Sequence, residues 1–204
     1  RVPLAFAVEP SGTVDVLDSG SGITLKRFLN TGYFLGQATY SLWPTVSTTS
    51  LISAAIDKTN ARLYLSYQYQ RSSYCLQCLG CACPTSNNKG YINTYDFSGN
   101  LLSQVEMPGN SATPNTCFTP SKIAIGAQSE LIVVDVPCQQ LLRYSVTGTL
   151  EGQTPASRFG NLVNPRGVWI DPDSSLYVNQ TVCGPAGCPQ SVLKITPDGN
   201  VQTT

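Results

Sequence analysis

Four stretches of this sequence close on a glycine in the same local pattern, and that recurrence constrains the fold more than any other feature. They span residues 25–35 around Gly32, 92–102 around Gly99, 141–151 around Gly148 and 192–202 around Gly199. Each has an apolar residue seven before the glycine, an aromatic or aliphatic residue four before it, and another apolar residue two after it. Alternation up to the glycine, positive φ at the glycine and an immediate restart describe a tight β-hairpin. A second hairpin precedes each one. Val8 and Val14, Ile125 and Leu131, and Ile170 and Leu176 lie six residues apart, while Ile56 and Leu63 lie seven apart through one insertion. Turn residues fill the gaps, at 9–12, 57–60, 126–129 and 171–174.

Each repeat therefore reads strand a, turn, strand b, variable loop, strand c, glycine turn, strand d. No stretch carries a 3.6-residue apolar period long enough for a helix. A unit of four antiparallel strands in about 45–50 residues is the blade of an all-β propeller. The reading is one domain over 1–204, with blades at approximately 1–45, 46–114, 115–160 and 161–204. A β-sandwich with similar hairpins is the competing architecture, and four glycines in register weigh against it.

The residues Asn164-Pro-Arg-Gly-Val-Trp-Ile-Asp171, Leu176-Tyr-Val178 and Val192-Leu-Lys-Ile-Thr-Pro-Asp-Gly199 closely resemble the NHL repeat, and 62–65 and 130–135 match it in part. The first repeat departs from it, with Asp15 where the fourth has Tyr177. The resemblance implies a propeller, and NHL-like propellers usually have six blades or sometimes five. Four are visible here. A closed four-bladed ring, an excerpt of a longer propeller and an arc completed by a neighbouring subunit all fit that count. An excerpt or an assembled arc is expected over a closed ring, because an uncapped blade leaves an apolar sheet face in water. Arg1 is neither an initiator methionine nor the start of a signal peptide, so the sequence is expected to be a mature or excerpted piece.

Eight cysteines lie between Cys75 and Cys188, an even number at loop spacings, which reads as disulfides in an oxidising compartment. In a propeller, b–c loops and d–a links share one face, and all eight map there. Cys183 with Cys188 is the first expected bridge, across a Gly-Pro turn, and Cys117 with Cys138 the second. Cys75, Cys78, Cys81 and Cys83 then pair among themselves, with a connectivity that spacing does not fix. These four also form a possible zinc set, but four ligands within nine residues is tighter than structural zinc sites use. No metal and no cofactor is expected. Acidic residues of the short turns on the other face (Glu9, Asp57, Asp171, Asp173) include an Asp-Pro-Asp that suggests calcium, and side chains bonding to their own turns are the expectation.

Composition narrows the function. Twelve basic residues balance twelve acidic ones and only 12% of the chain is charged, so there is no electrostatic footprint for nucleic acid or an anionic membrane. No apolar run approaches the ~20 residues of a membrane-spanning helix. Histidine is absent, which removes the commonest general base and transition-metal ligand. Relatives of the propeller class include lyases with histidine ligands and lactonases with a Glu/Asn/Asp set. Strand-a residues expected to line the channel (Phe6, Ser53, Ala55, Ile123, Ala124, Val168, Trp169) supply neither. The expectation is a non-catalytic, extracellular or cell-surface structural protein that assembles with copies of itself or with other extracellular proteins into a fibre or layer. A receptor or adhesin propeller recognising protein or carbohydrate is the alternative, and a metal-dependent lactonase-like hydrolase the third. Tyr67, Tyr69 and Tyr74 are read as an exposed contact surface beside the cysteine-rich insertion, and Asn179, in an Asn-Gln-Thr sequon, as a glycosylation site opening a b–c loop.

Overall fold

The computed structural model describes residues 3–9, 11–19, 23–40, 49–70, 88–107, 120–126, 128–135, 140–155, 165–171, 173–181, 190–196 and 200–203. They form sixteen strands. The first sheet comprises β1 (Pro3–Val8), β2 (Val14–Asp18), β3 (Ile23–Phe28) and β4 (Phe34–Tyr40). The second comprises β5 (Thr49–Asp57), β6 (Arg62–Gln70), β7 (Asn88–Asp96) and β8 (Leu101–Glu106). The third comprises β9 (Pro120–Ile125), β10 (Leu131–Asp135), β11 (Gln140–Tyr144) and β12 (Leu150–Pro155). The fourth comprises β13 (Pro165–Ile170), β14 (Leu176–Thr181), β15 (Gln190–Ile195) and β16 (Val201–Thr203). Every sheet pairs its strands antiparallel in chain order, and the four sheets make a four-bladed propeller. No helix among the described residues is long and apolar enough to cross a membrane.

The turns form for the reason the glycines suggest. Gly32, Gly99 and Gly148 adopt φ of 85°, 96° and 86°, each donating its N–H to the carbonyl three residues back. That geometry admits glycine without the clash a Cβ brings. The a–b turns repeat the same bonding, and there Ser129 and Ser174 carry the positive φ (62° and 64°) that Gly12 carries in the first blade.

Strand alternation gives each blade two faces, here termed leading (toward the next blade in sequence) and trailing (toward the previous one). Leu17, Leu25 and Tyr40 on the first blade's leading face pack against Leu63, Leu65 and Tyr95 on the second blade's trailing face. Tyr64 and Ile92 of the second blade meet Leu131, Val133 and Tyr144 of the third in the same way. Val134 and Leu141 of the third meet Leu176, Val178 and Ile195 of the fourth. The residue seven before the glycine points forward and the residue four before it points backward, in every blade where both are described.

Asp15, the departure from the repeat pattern, lies at the first of these seams. It is fully buried, accepting from Arg27 Nε of its own blade at 3.0 Å and from Lys58 Nζ of the next blade at 2.7 Å. Glu9 lies 3.3 Å from the same ammonium, and the Arg27 guanidinium stands 5.3 Å from the Phe97 ring centroid. An acidic side chain thus replaces apolar contact by ion pairing across the seam. Removing one partner of such a buried pair strands the other charge. Asp15→Ala is expected to lower unfolding stability by about 3 kcal/mol, measured by denaturant titration, and Lys58→Met made on top of it to restore part of the loss.

Candidate functional site

Three places in a propeller can carry function, namely the axial channel, the loop rim and the faces of the blades. The inner strands β1, β5, β9 and β13 neighbour one another in order, and their side chains offer little chemistry. Ser53 Oγ accepts the Ile123 N–H at 3.3 Å and its carbonyl accepts the Ser66 hydroxyl at 3.2 Å, so its polar groups serve to join β5 to β6 and β9. Among the described residues, no group of three or more acidic, cysteine or histidine side chains is placed to hold a metal. The acidic turns bond internally. Asp57 accepts from the backbone and side chain of Asn60 at 3.2 and 2.8 Å, and Asp173 accepts the Ser175 N–H at 2.8 Å, which holds its carboxyl below the usual range.

At the loop rim the expected residues fare differently. Cys75, Cys78, Cys81, Cys83, Cys117, Cys138, Cys183 and Cys188 lie outside the described residues, as do Tyr74 and the side chain of Tyr69. The strand ends that flank seven of them, at Gln70 and Asn88, Asp135 and Gln140, and Thr181 and Gln190, are paired b–c ends. Tyr67 requires correction. It is 0% exposed, stacks on Tyr91 at 5.5 Å, donates to Asn93 Oδ1 at 3.2 Å and accepts from Gln104 Nε2 at 2.6 Å. Burial raises its hydroxyl pKa above the ordinary value. It faces the trailing side because it continues the parity of Leu63 and Leu65, a signal present in the sequence. Asn179 opens no loop either. It lies within β14, paired with Gly167 and Val192, and its Oδ1 is buried.

Asp135, the last residue of the stretch that partly matches the repeat, ends β10 fully buried, accepting from Gln140 Nε2 at 3.1 Å. Burial pushes its carboxyl up to about 6 from an ordinary 3.8.

The blade faces hold the largest anomaly. At one inner-strand position the second and third blades place Ala54 and Ile123, 8% and 5% exposed; the first blade places Phe6, 75% exposed. At the neighbouring position Ala55 and Ala124 are 7% and 8% exposed, whereas Trp169 of the fourth blade is 58% exposed. Val8 is also exposed, beside Val14 and Phe28 in the same row across the trailing face of the first blade. On the fourth blade's leading face Trp169 lies against Tyr177 at 5.5 Å, and Lys194 Nζ stands 5.3 Å from the Tyr177 ring centroid. Among the described residues no apolar cluster joins the fourth blade to the first.

No protein-family model matches the sequence, and no curated protein matches it. Solved structures do share the fold. Regucalcin, a calcium-binding protein from Agrobacterium tumefaciens, matches 98% of this chain and 58% of its own at 14% identity and TM-score 0.53. A luciferin-regenerating enzyme matches 99% and 61% at 14% identity and TM-score 0.55. Virginiamycin B lyase from Staphylococcus aureus matches 99% and 69% at 16% identity and TM-score 0.50. The chain spans less than two thirds of the first of the solved structures it matches, 60% of a Bacteroides caccae protein. These likenesses establish the β-propeller. They also correct the expectation of a non-catalytic protein, since chains with this fold include a lyase and a luciferin-regenerating enzyme, and catalysis is compatible with the architecture.

The buried Asp135 sets a pH dependence. Its folded pKa lies above its unfolded one, so its contribution to stability is full below about pH 4 and is lost as pH rises through about 6. Asp135→Asn is expected to remove that slope and to raise the denaturation midpoint at neutral pH relative to the parent, read from denaturant titrations across this interval.

Proposed function

We propose that this chain is an extracellular interaction and assembly protein, an NHL-like propeller that joins other protein surfaces through exposed apolar residues of its outer strands. The single observation that carries the reading is the exposed apolar residues where the outer strands start, Tyr33, Phe34 and Leu35 at β4, Leu101 and Leu102 at β8 and Leu150 at β12. Contiguous exposed apolar surface marks contact sites. The low charge of the chain supports it, because few ions oppose close approach. The even set of eight cysteines supports an oxidising location, with loops cross-linked into a fixed rim.

A second reading, a ligand-binding ectodomain, draws on an open groove of about 410 Å³ between the first two blades, lined by Leu25, Arg27, Leu35, Gln37 and Phe97. Arg27 supplies a donor fork there and Phe97 an aromatic face, the pairing that suits a polar ligand with an apolar side.

Two measurements on the secreted full chain separate the readings. Assembly predicts disulfide-linked cysteines by non-reducing peptide mapping, together with species larger than one chain in concentration-dependent light scattering. A stable monomer at all concentrations overturns the assembly reading and leaves the groove as the site to probe, and free thiols throughout overturn the extracellular one.

A further inference from the structure

The seam between the third and fourth blades carries a groove that the assembly reading does not use. It has a volume of about 190 Å³, with Ile132 on one wall and Ile170, Leu176 and Ile195 on the other. Two ionisable side chains, Glu130 and Arg143, stand among these hydrocarbons. Superposing the repeats shows what is unusual about them. Arg143 lies five before Gly148, as Arg27 lies five before Gly32, and each is paired with a glycine of the outer strand, Gly152 and Gly36. The strand-b neighbour differs. Arg27 is paired with Asp15, which accepts from its Nε at 3.0 Å, whereas Arg143 is paired with Ile132.

Among the described residues, Arg143 is therefore left without a hydrogen-bonded carboxylate. Its Nη2 is 4.0 Å from Glu130 Oε1 and its Nε 3.7 Å from Glu151 Oε2, both beyond hydrogen-bonding distance, and half of its side chain is exposed. Glu130 is the deeper group. It precedes strand b where the first and fourth blades have Thr13 and Ser175, and it is only 7% exposed. Its Oε2 accepts the Gln128 N–H at 2.9 Å, while Oε1, among the described residues, has the distant Arg143 guanidinium alone. A Cβ at Gly126 would collide with Oε1, so the glycine makes the room that the carboxyl occupies. A carboxylate oxygen buried without a donor is costly, and the groove opens a path for a donor from outside the chain.

We infer that this groove binds a free aliphatic α-amino acid of leucine's size. Its ammonium donates to Glu130 Oε1, its carboxylate accepts from Arg143, and its side chain lies between Ile132 and the wall of Ile170, Leu176 and Ile195. Charge complementarity selects this class. Opposite charges 4.0 Å apart and not bonded to each other match a molecule that carries both ions on one carbon, and a planar guanidinium takes a carboxylate bidentately. A peptide end brings only one of the two ions. An amine without a carboxylate puts an uncompensated cation beside Arg143, and a fatty acid puts its anion beside Glu130. The volume lies below the roughly 300–1,000 Å³ of sites for drug-sized ligands, which holds the occupant to a small molecule. In the first seam the same arginine is anchored by Asp15 and lies over the Phe97 ring, so the matched pair of unbonded ions belongs to the third seam.

The test is isothermal titration calorimetry of the full chain with L-leucine, 3-methylbutylamine and 4-methylpentanoate. L-leucine is expected to bind one to one with a Kd of about 1 mM or tighter. Each analogue lacks one ion and is expected to bind at least about tenfold more weakly. Arg143→Gln, at a half-exposed position where folding is not at risk, is expected to weaken leucine binding by the same factor, and Glu130→Gln likewise. Ile132→Asp rebuilds the pairing of the first seam, engages Arg143 from strand b and is expected to abolish binding, with circular dichroism checking that each variant is folded. Failure of leucine to bind the parent at about 10 mM overturns the inference. So does unchanged affinity in Arg143→Gln, or an amine or acid analogue that binds as tightly as leucine. The assembly reading stands or falls separately, by light scattering.

Discussion

The interaction on which this molecule rests is the seam between successive blades. A four-stranded sheet of this size cannot bury its apolar surface alone, and alternation of side chains gives every blade two such surfaces. The three apolar clusters among the described residues are all inter-blade clusters. Stability in such an array is a sum of nearest-neighbour terms, so the sequence must supply a leading and a trailing pattern in every repeat. It does so in fixed positions relative to the turn glycines. The exception proves informative, because at the first seam Asp15, Arg27 and Lys58 connect the blades by charge where the others use hydrocarbon.

Much of this architecture was legible from residues alone. The glycines at 32, 99 and 148 announced their turns because their backbone requires positive φ, and the apolar residues four and seven before them announced the two faces. The legibility failed where a residue type was read without its strand parity. Tyr67 adjoins a cysteine-rich insertion, which suggests a contact tyrosine, yet Leu63, Leu65 and Tyr67 share one parity and one buried face. The sequon at Asn179 suggests the start of a surface loop, while β14 continues in register to Thr181. Asp15 was visible as a departure from the repeat, but its partner Lys58 lies 43 residues away and no local pattern joins them. Asp135 closes a stretch that resembles the repeat, but the burial that raises its pKa carries no local signal.

The functional site was harder to read, for a physical reason. Catalytic sites announce themselves through residue types that have few other uses, and this chain lacks histidine and spreads its carboxylates over turns that bond them internally. Absence of a familiar constellation does not exclude catalysis, and the fold is shared with proteins that include enzymes. Fold and activity are separable. What the sequence does contain is a surface signal of a different kind, which appears only when repeats are superposed by position and exposure is compared across them.

That comparison gives the end faces their meaning. A single exposed aromatic on a protein surface is unremarkable, because apolar atoms contribute more than half of any folded surface. Phe6 and Trp169 differ because the repeat itself supplies a control, with Ala54, Ala55, Ile123 and Ala124 at the same positions nearly closed to water and Ala7 and Val168 half-buried. Leaving such groups wet costs about 25 cal/mol per Å², and a lysine or glutamate at either position would relieve it without disturbing a strand. The lysines on these faces, Lys26 and Lys194, are each engaged by a neighbour on the same blade, Asp18 and the Tyr177 ring. Apolar groups at the inner edge, charges already neutralised and strand register preserved to the last blade are the properties of a surface built to be covered by another blade.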